Sequence, residues 1–266
     1  MYNVLFFGDS NTWGFNPETH GRYAYEERWT TICAQLLGPE FCCIPAGLNG
    51  RTTIFDDPLK GCRNGVHGVD YELQCHKPLD LCVLMLGTND LKFTDAHGSA
   101  QGMEHLLRMI LSANERYHLS YPVFPDGARI LLIAPVLIHG SIGNAWKDMP
   151  GAETVLDKSE ENAIAEGTLV GSGQEASESA DSGMTGSPFV TAQSVSSFAF
   201  SRDELESRKL GALYRGLAEK YGLEFMDASA IAEPSPVDGV HLGRDGHVAL
   251  GNAIAEKIGW LTGDMF

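Results

Sequence analysis

The 266 residues carry a formal charge of −16 and are 43% hydrophobic, enough apolar side chain for a core in one large domain or two small ones. So acidic a surface repels phosphodiester backbones and anionic lipid, which argues against nucleic-acid and membrane partners, and no run approaches the roughly 20 apolar residues that a membrane-spanning helix needs. The first ten residues lack a basic flank, a long apolar stretch and a small-residue cleavage site, so a cytoplasmic location is expected; the six cysteines (Cys33, Cys42, Cys43, Cys62, Cys75, Cys82) show no C-x-x-C spacing and are expected to be reduced.

Residues 4–7 read as a buried strand that runs directly into Gly8-Asp9-Ser10-Asn11-Thr12. In a parallel sheet, chemistry collects at the C-terminal ends of strands, so a serine released there ahead of a helix faces a crevice. Its N–H lies near a helix N-terminus, which suits a developing oxyanion. Taken alone, Gly-Asp-Ser is equally a turn with an N-capping serine. Trp29, Ile32, Cys33, Leu36 and Leu37 follow helical spacing and predict a helix over 29–37, with Gly38 as its C-terminal cap. A second strand over 41–45 leads into Gly47-Leu48-Asn49-Gly50-Arg51-Thr52, a loop in which a glycine can expose a backbone N–H.

A third strand, 81–86, ends in Gly87-Thr88-Asn89-Asp90, where the Asn89 side-chain amide is a candidate oxyanion donor. A turn closed by the Asn and Asp side chains explains the same residues locally. Helical spacing recurs over 103–111, and 130–134 reads as a strand. From about 151 to 197 the rhythm breaks into Ser, Gly and Ala, with eight acidic residues against Lys158 alone. Such a composition buries too little to offset the entropy of ordering, which favours a flexible surface insertion. The alternative is a lid, for which Leu169, Val170, Phe189, Val190, Phe198 and Phe200 would supply the apolar cover.

Ser201 and Glu204 form a capping-box signature ahead of a helix over 205–221, with Gly222 placed to end it; a strand over 223–227 and a last helix over about 245–261 follow. The alternation of strands and helices implies a parallel sheet sandwiched by helices. Between the last strand and helix lies Val237-Asp238-Gly239-Val240-His241-Leu242. A serine hydroxyl needs a base, and a histidine serves near neutral pH when a carboxylate fixes its tautomer. On a tight turn, Asp238 can reach His241 Nδ1 and leave Nε2 free for Ser10. The plainer alternative is a turn-capping Asp238 beside a surface His241.

These four blocks together resemble the SGNH (GDSL) hydrolase family, in which Ser, Gly, Asn and His occur in this order; here they correspond to Ser10, Gly50, Asn89 and His241, with Asp238 in the family's Asp-x-x-His. Gly8-Asp9-Ser10-Asn11-Thr12-Trp13-Gly14, Glu27-Arg28-Trp29-Thr30, Gly50-Arg51-Thr52-Thr53 and Met85-Leu86-Gly87-Thr88-Asn89-Asp90 resemble its arylesterase and acyltransferase branch. The resemblance implies an α/β fold: a flavodoxin-like three-layer α/β/α sandwich with a central parallel sheet, in a single domain over 1–266. It implies a serine esterase acting on small aryl or acetyl esters, with acyl transfer to alcohols in some relatives and no cofactor. Ser10, Asp238 and His241 would be catalytic, Ser10, Gly50 and Asn89 would form the oxyanion hole, and Trp13 and Asn49 would line the acyl pocket. Relatives in this branch are often oligomeric, which implies a homo-oligomer. The acidic insertion departs from the branch and leaves open a carbohydrate O-acetyl esterase, a lysophospholipase or a thioesterase.

Two other classes compete. Asp238, His241, Asp245 and His247 crowd one stretch, and with Asp9 and Asp90 they offer the carboxylates and imidazoles of a metal-dependent phosphoesterase. That assignment leaves Ser10 and Asn89 idle. A catalytically silent binding module would have no use for an intact Ser, His and Asp. The remaining histidines (His20, His67, His76, His97, His105, His118, His139) show no paired spacing and suggest no role.

Overall fold

The computed structural model describes residues 1–58, 60–117, 121–139 and 192–263. Among these residues, five strands, β1 (Tyr2–Gly8), β2 (Phe41–Gly47), β3 (Leu81–Met85), β4 (Ile130–Ala134) and β5 (Glu224–Asp227), form one parallel sheet in the order β2-β1-β3-β4-β5. The connecting helices are α1 (Ser10–Trp13), α2 (Trp29–Leu37), α3 (Gly65–His76), α4 (Ala96–Leu111), α5 (Ala113–Tyr117), α6 (Ala192–Tyr221) and α7 (Arg244–Thr262). This is the flavodoxin-like α/β/α sandwich. Its strand order reverses between β1 and β3, the point at which such sheets open a crevice beyond their C-terminal ends.

The strands are apolar on both faces because both faces are covered. Leu5 and Phe7 of β1, Cys82 and Leu84 of β3 and Leu132 of β4 point to one side, where they pack with Val69, Leu73, Leu106, Leu107 and Tyr214 of α3, α4 and α6. Val4, Phe6, Leu81, Val83, Leu131 and Ile133 point to the other, against Trp29, Cys33, Leu250 and Ile254 of α2 and α7. The period of two along each strand divides the core into these two clusters. Gly8 lies in register with both Gly47 and Met85, so the ends of β1, β2 and β3 reach the same level.

The helix expected over 29–37 and the strand over 130–134 are present residue for residue. Gly38 follows α2 and donates its N–H to Ala34, and Gly222 follows α6 at a φ of 64°. The helix expected from residue 103 starts at Ala96, where the Asp95 carboxylate caps the Gly98 N–H. Its first turns, Ala-His-Gly-Ser-Ala, carry too few large apolar side chains to register as periodicity. Helix α3 buries mainly Val69 and Leu73 and was not anticipated for the same reason. The Ser201–Glu204 signature is corrected: α6 already runs from Ala192, so Ser201 lies inside the helix, where an i, i+3 Ser and Glu pair has the same spacing as a capping box. The helix also takes in 192–197 of the expected insertion; 151–191 lies outside the described residues. No helix among the described residues is long and apolar enough to cross a membrane.

Candidate active site

Ser10 sits where β1 ends and α1 begins. Asp9 caps the turn through its Oδ1, which accepts the Asn11 N–H at 3.0 Å, and Gly14, in the left-handed region, ends it. The turn lies against the end of β2: a Cβ on Gly47 would run into the backbone of Thr12 and Trp13, so only glycine allows this approach. Arg51 ties the two strand ends together. It donates from Nη1 to the carbonyls of Gly8, at 2.9 Å, and Ala46, and its guanidinium stacks 4.0 Å from the Phe7 ring.

His241 arrives from the far end of the chain, in the loop between β5 and α7. Asp238 folds this loop on itself, its Oδ1 accepting the N–H groups of Val240 (2.9 Å) and His241 (3.0 Å). Gly239 turns with φ 69° and lies so close to the His139 carbonyl that a Cβ would clash with it. The result is a hydrogen-bonded chain of three side chains: Asp238 Oδ2 to His241 Nδ1 at 2.6 Å, and His241 Nε2 to Ser10 Oγ at 2.9 Å. Ser10 and His241 are buried, at 6% and 3% exposure. Phe15 packs its ring 4.2 Å from the imidazole.

The electrostatics fix the direction of these bonds. Burial raises the Asp238 pKa, but the hydrogen bond and charge of His241 and the two backbone N–H groups outweigh it, leaving Asp238 below the ordinary carboxylate value and therefore ionised at neutral pH. An ionised Asp238 only accepts, so Nδ1 carries the imidazole proton and Nε2 is left to accept the Ser10 O–H.

Asn89 follows β3 at the same sheet edge. Its Nδ2 donates to the Arg51 carbonyl at 3.1 Å, and its Oδ1 accepts from Lys92 Nζ at 2.8 Å, which sets the orientation of the amide and leaves one N–H of Nδ2 over. Gly50 is buried at a φ of 76°, and no acceptor among the described residues takes its N–H or that of Ser10. Trp13 is half-buried beneath the Arg22 guanidinium, 4.6 Å from its ring. Asn49 stands next to Gly50, its Oδ1 buried without a hydrogen-bond partner among the described residues.

Sequence reasoning named Asp9 and Asp90 only as candidate metal ligands and missed their burial under the site. Asp9 and Asp90 are buried, and burial pushes their carboxyls up to about 6 and about 7. Asp90 accepts from both the backbone N–H and the hydroxyl of Thr53. Burial lowers Lys92 to about 8. A charge's burial depends on elements remote in sequence, so no local pattern marks it at Asp9, Asp90 or Lys92. Of Asp238, His241, Asp245 and His247, only the first two meet. Asp245 is exposed, whereas His247 is fully buried with its Nδ1 accepting the Trp29 N–H at 3.3 Å, and no group of three metal-ligating side chains forms among the described residues. A cavity of about 400 Å³ lies at the opposite end of the strands, among Tyr2, Ile130, Leu223 and Trp260.

The profile of the GDSL-like lipase/acylhydrolase family matches residues 6–165. Among solved structures, a carbohydrate acetylesterase family member from Sinorhizobium meliloti is 29% identical over 99% of this chain and 100% of its own, with a TM-score of 0.72. The aryl esterase of M. smegmatis is 27% identical over 98% of this chain and 100% of its own, with a TM-score of 0.71. A candidate arylesterase from Agrobacterium tumefaciens is 31% identical over 97% of this chain and 98% of its own, with a TM-score of 0.70. No curated protein matches the chain.

Proposed function

The chain belongs to the GDSL-like lipase/acylhydrolase family and is a carboxylic ester hydrolase, and from that premise we propose that it cleaves small aryl and acetyl esters through an acyl intermediate on Ser10. The observation that carries this reading is the continuous Asp238–His241–Ser10 hydrogen-bonded chain, with contacts of 2.6 and 2.9 Å. Ser10 Oγ attacks the ester carbonyl as its proton passes to His241 Nε2, and ionised Asp238 stabilises the imidazolium. The tetrahedral oxyanion is received by the N–H groups of Ser10 and Gly50 and by the spare N–H of Asn89. Collapse breaks the bond to the leaving oxygen, which takes the proton from His241. Water, deprotonated by the same histidine, then attacks the acyl-serine and frees the acid. An alcohol in place of that water would receive the acyl group as a new ester. Trp13, three residues after Ser10, and Asn49, next to Gly50, are the residues proposed to line the acyl side.

Hydrolysis of p-nitrophenyl acetate tests the reading directly. Ser10→Ala should abolish turnover while leaving the melting temperature close to that of the wild type; full retained activity would sink the assignment. Because relatives include carbohydrate acetylesterases and aryl esterases, a series of acetyl, butyryl and octanoyl p-nitrophenyl esters with an acetylated sugar alongside identifies the acyl and alcohol preference. We expect acetate to be the best acyl group.

A further inference from the structure

Asn11 follows Ser10 directly and is 2% exposed, yet no step above uses its side chain. That side chain crosses to the loop carrying His241. Its Oδ1 accepts the Leu242 N–H at 2.9 Å, and its Nδ2 donates to the Val240 carbonyl at 3.4 Å. These peptide groups belong to the two residues on either side of His241, so the amide grips the histidine's backbone before and behind it. The backbone of Asn11 is itself fixed: Asp9 Oδ1 accepts its N–H at 3.0 Å, and the Trp29 indole donates to its carbonyl at 2.9 Å.

Apart from the contact between His241 and Ser10, the two Asn11 bonds are the hydrogen bonds that join the turn over 9–14 to the loop over 234–242 among the described residues. The loop's other tether across the fold, the Gly239 carbonyl accepting the His139 N–H at 2.7 Å, leads towards the end of β4 and away from β1. The matched family is denoted by the letters GDSL, and here the fourth of them is Asn11. A leucine makes neither bond.

We propose that Asn11 is a positioning residue that sets the His241 imidazole against the Ser10 hydroxyl by pairing with the peptide groups flanking the histidine. The inference rests on the reading of Ser10 as nucleophile and His241 as its base. Side-chain contacts across elements slip when the backbones beneath them drift, and a misplacement of about 1 Å is enough to cost roughly 100-fold in rate. Asn11 couples the two backbones directly, one residue from the nucleophile.

The test places Asn11→Leu in two backgrounds, wild type and His241→Ala, with p-nitrophenyl acetate as substrate. In the wild-type background kcat should fall roughly 10- to 100-fold with KM within about twofold, and labelling by a fluorophosphonate should slow by the same factor. In the His241→Ala background the same substitution should change the residual rate by less than about twofold, since there is no base left to misplace. A kcat within about twofold of wild type, or an equal loss in both backgrounds, overturns the proposal. Should the leucine variant fail to fold, Asn11→Ser, too short to reach either peptide group, is read by the same outcomes. Ser10→Ala separates the two levels: if it stays active, the nucleophile reading fails; if it is inactive while Asn11→Leu turns over normally, only the positioning role fails.

Discussion

Asn89 and Asp90 are adjacent, and the fold sends them to different tasks. The Asn89 amide is pinned by Lys92 and the Arg51 carbonyl with one N–H left over. Removing a single oxyanion donor costs about 2.7 to 4 kcal/mol, so Asn89→Ala should lower kcat roughly 10²- to 10³-fold with little change in KM. An unchanged kcat would remove Asn89 from the oxyanion hole. Asp90 points inward to Thr53, and burial raises its pKa to about 7, as it raises that of Asp9 to about 6. Both folded values lie above the unfolded one near 3.9, so the folded state holds more protons across the interval. Stability from these two groups is therefore full below about pH 4 and is lost as pH rises towards about 7. Asp238, whose pKa is lowered, contributes in the opposite sense and below that window. Melting temperatures recorded from pH 4 to 8 should fall less steeply for Asp90→Asn than for wild type, and parallel curves would contradict this. The candidates Ser10 and Asn89 were legible because each follows a strand in a short motif, and Asp238 and His241 because of their spacing of three. Phe15, Lys92 and the burial of Asp9 were not, because their surroundings come from distant elements.

The ends of β1, β2 and β3 lead into Ser10, Gly50 and Asn89, and their spacing depends on small residues. A methyl group on Gly47 would strike the backbone of α1 at Thr12 and Trp13. Overpacking of this kind costs about 1 to 3 kcal/mol. Gly47→Ala should accordingly lower the melting temperature, and it should lower kcat as well because the displaced turn bears Ser10; a stable variant with normal kcat would show that α1 moves freely. Helix α2 and strand β4 could be read in full because most of their buried positions, Trp29, Thr30, Thr31 and Leu37 in the helix and residues 130–133 in the strand, carry a large apolar or β-branched side chain. Helix α3 and the first turns of α4 could not: they pack through Gly65, Ser99, Ala100 and Gly102, whose small size shortens the approach to neighbours without leaving a hydrophobic period.

Across the whole molecule, the net charge of −16 sets the field that any substrate meets. An anionic ester approaches against repulsion, which salt screens within a Debye length of about 10 Å at 0.1 M. kcat/KM for an ester bearing a carboxylate should therefore rise with ionic strength, while that of a neutral ester of the same size stays level; equal responses would show that the field does not reach the site. The sandwich itself was legible from the alternation of strands and helices, and its division into two apolar layers follows from the two-residue period of each strand. Acylation of Ser10 requires its hydroxyl to be the activated nucleophile, which mass spectrometry of the protein after reaction with a fluorophosphonate reports by phosphonylation of the same oxygen. One adduct per chain, mapped to Ser10, missing from Ser10→Ala and slow to form in His241→Ala, is the predicted result; an unmodified wild-type protein, or an adduct on another residue, would contradict it.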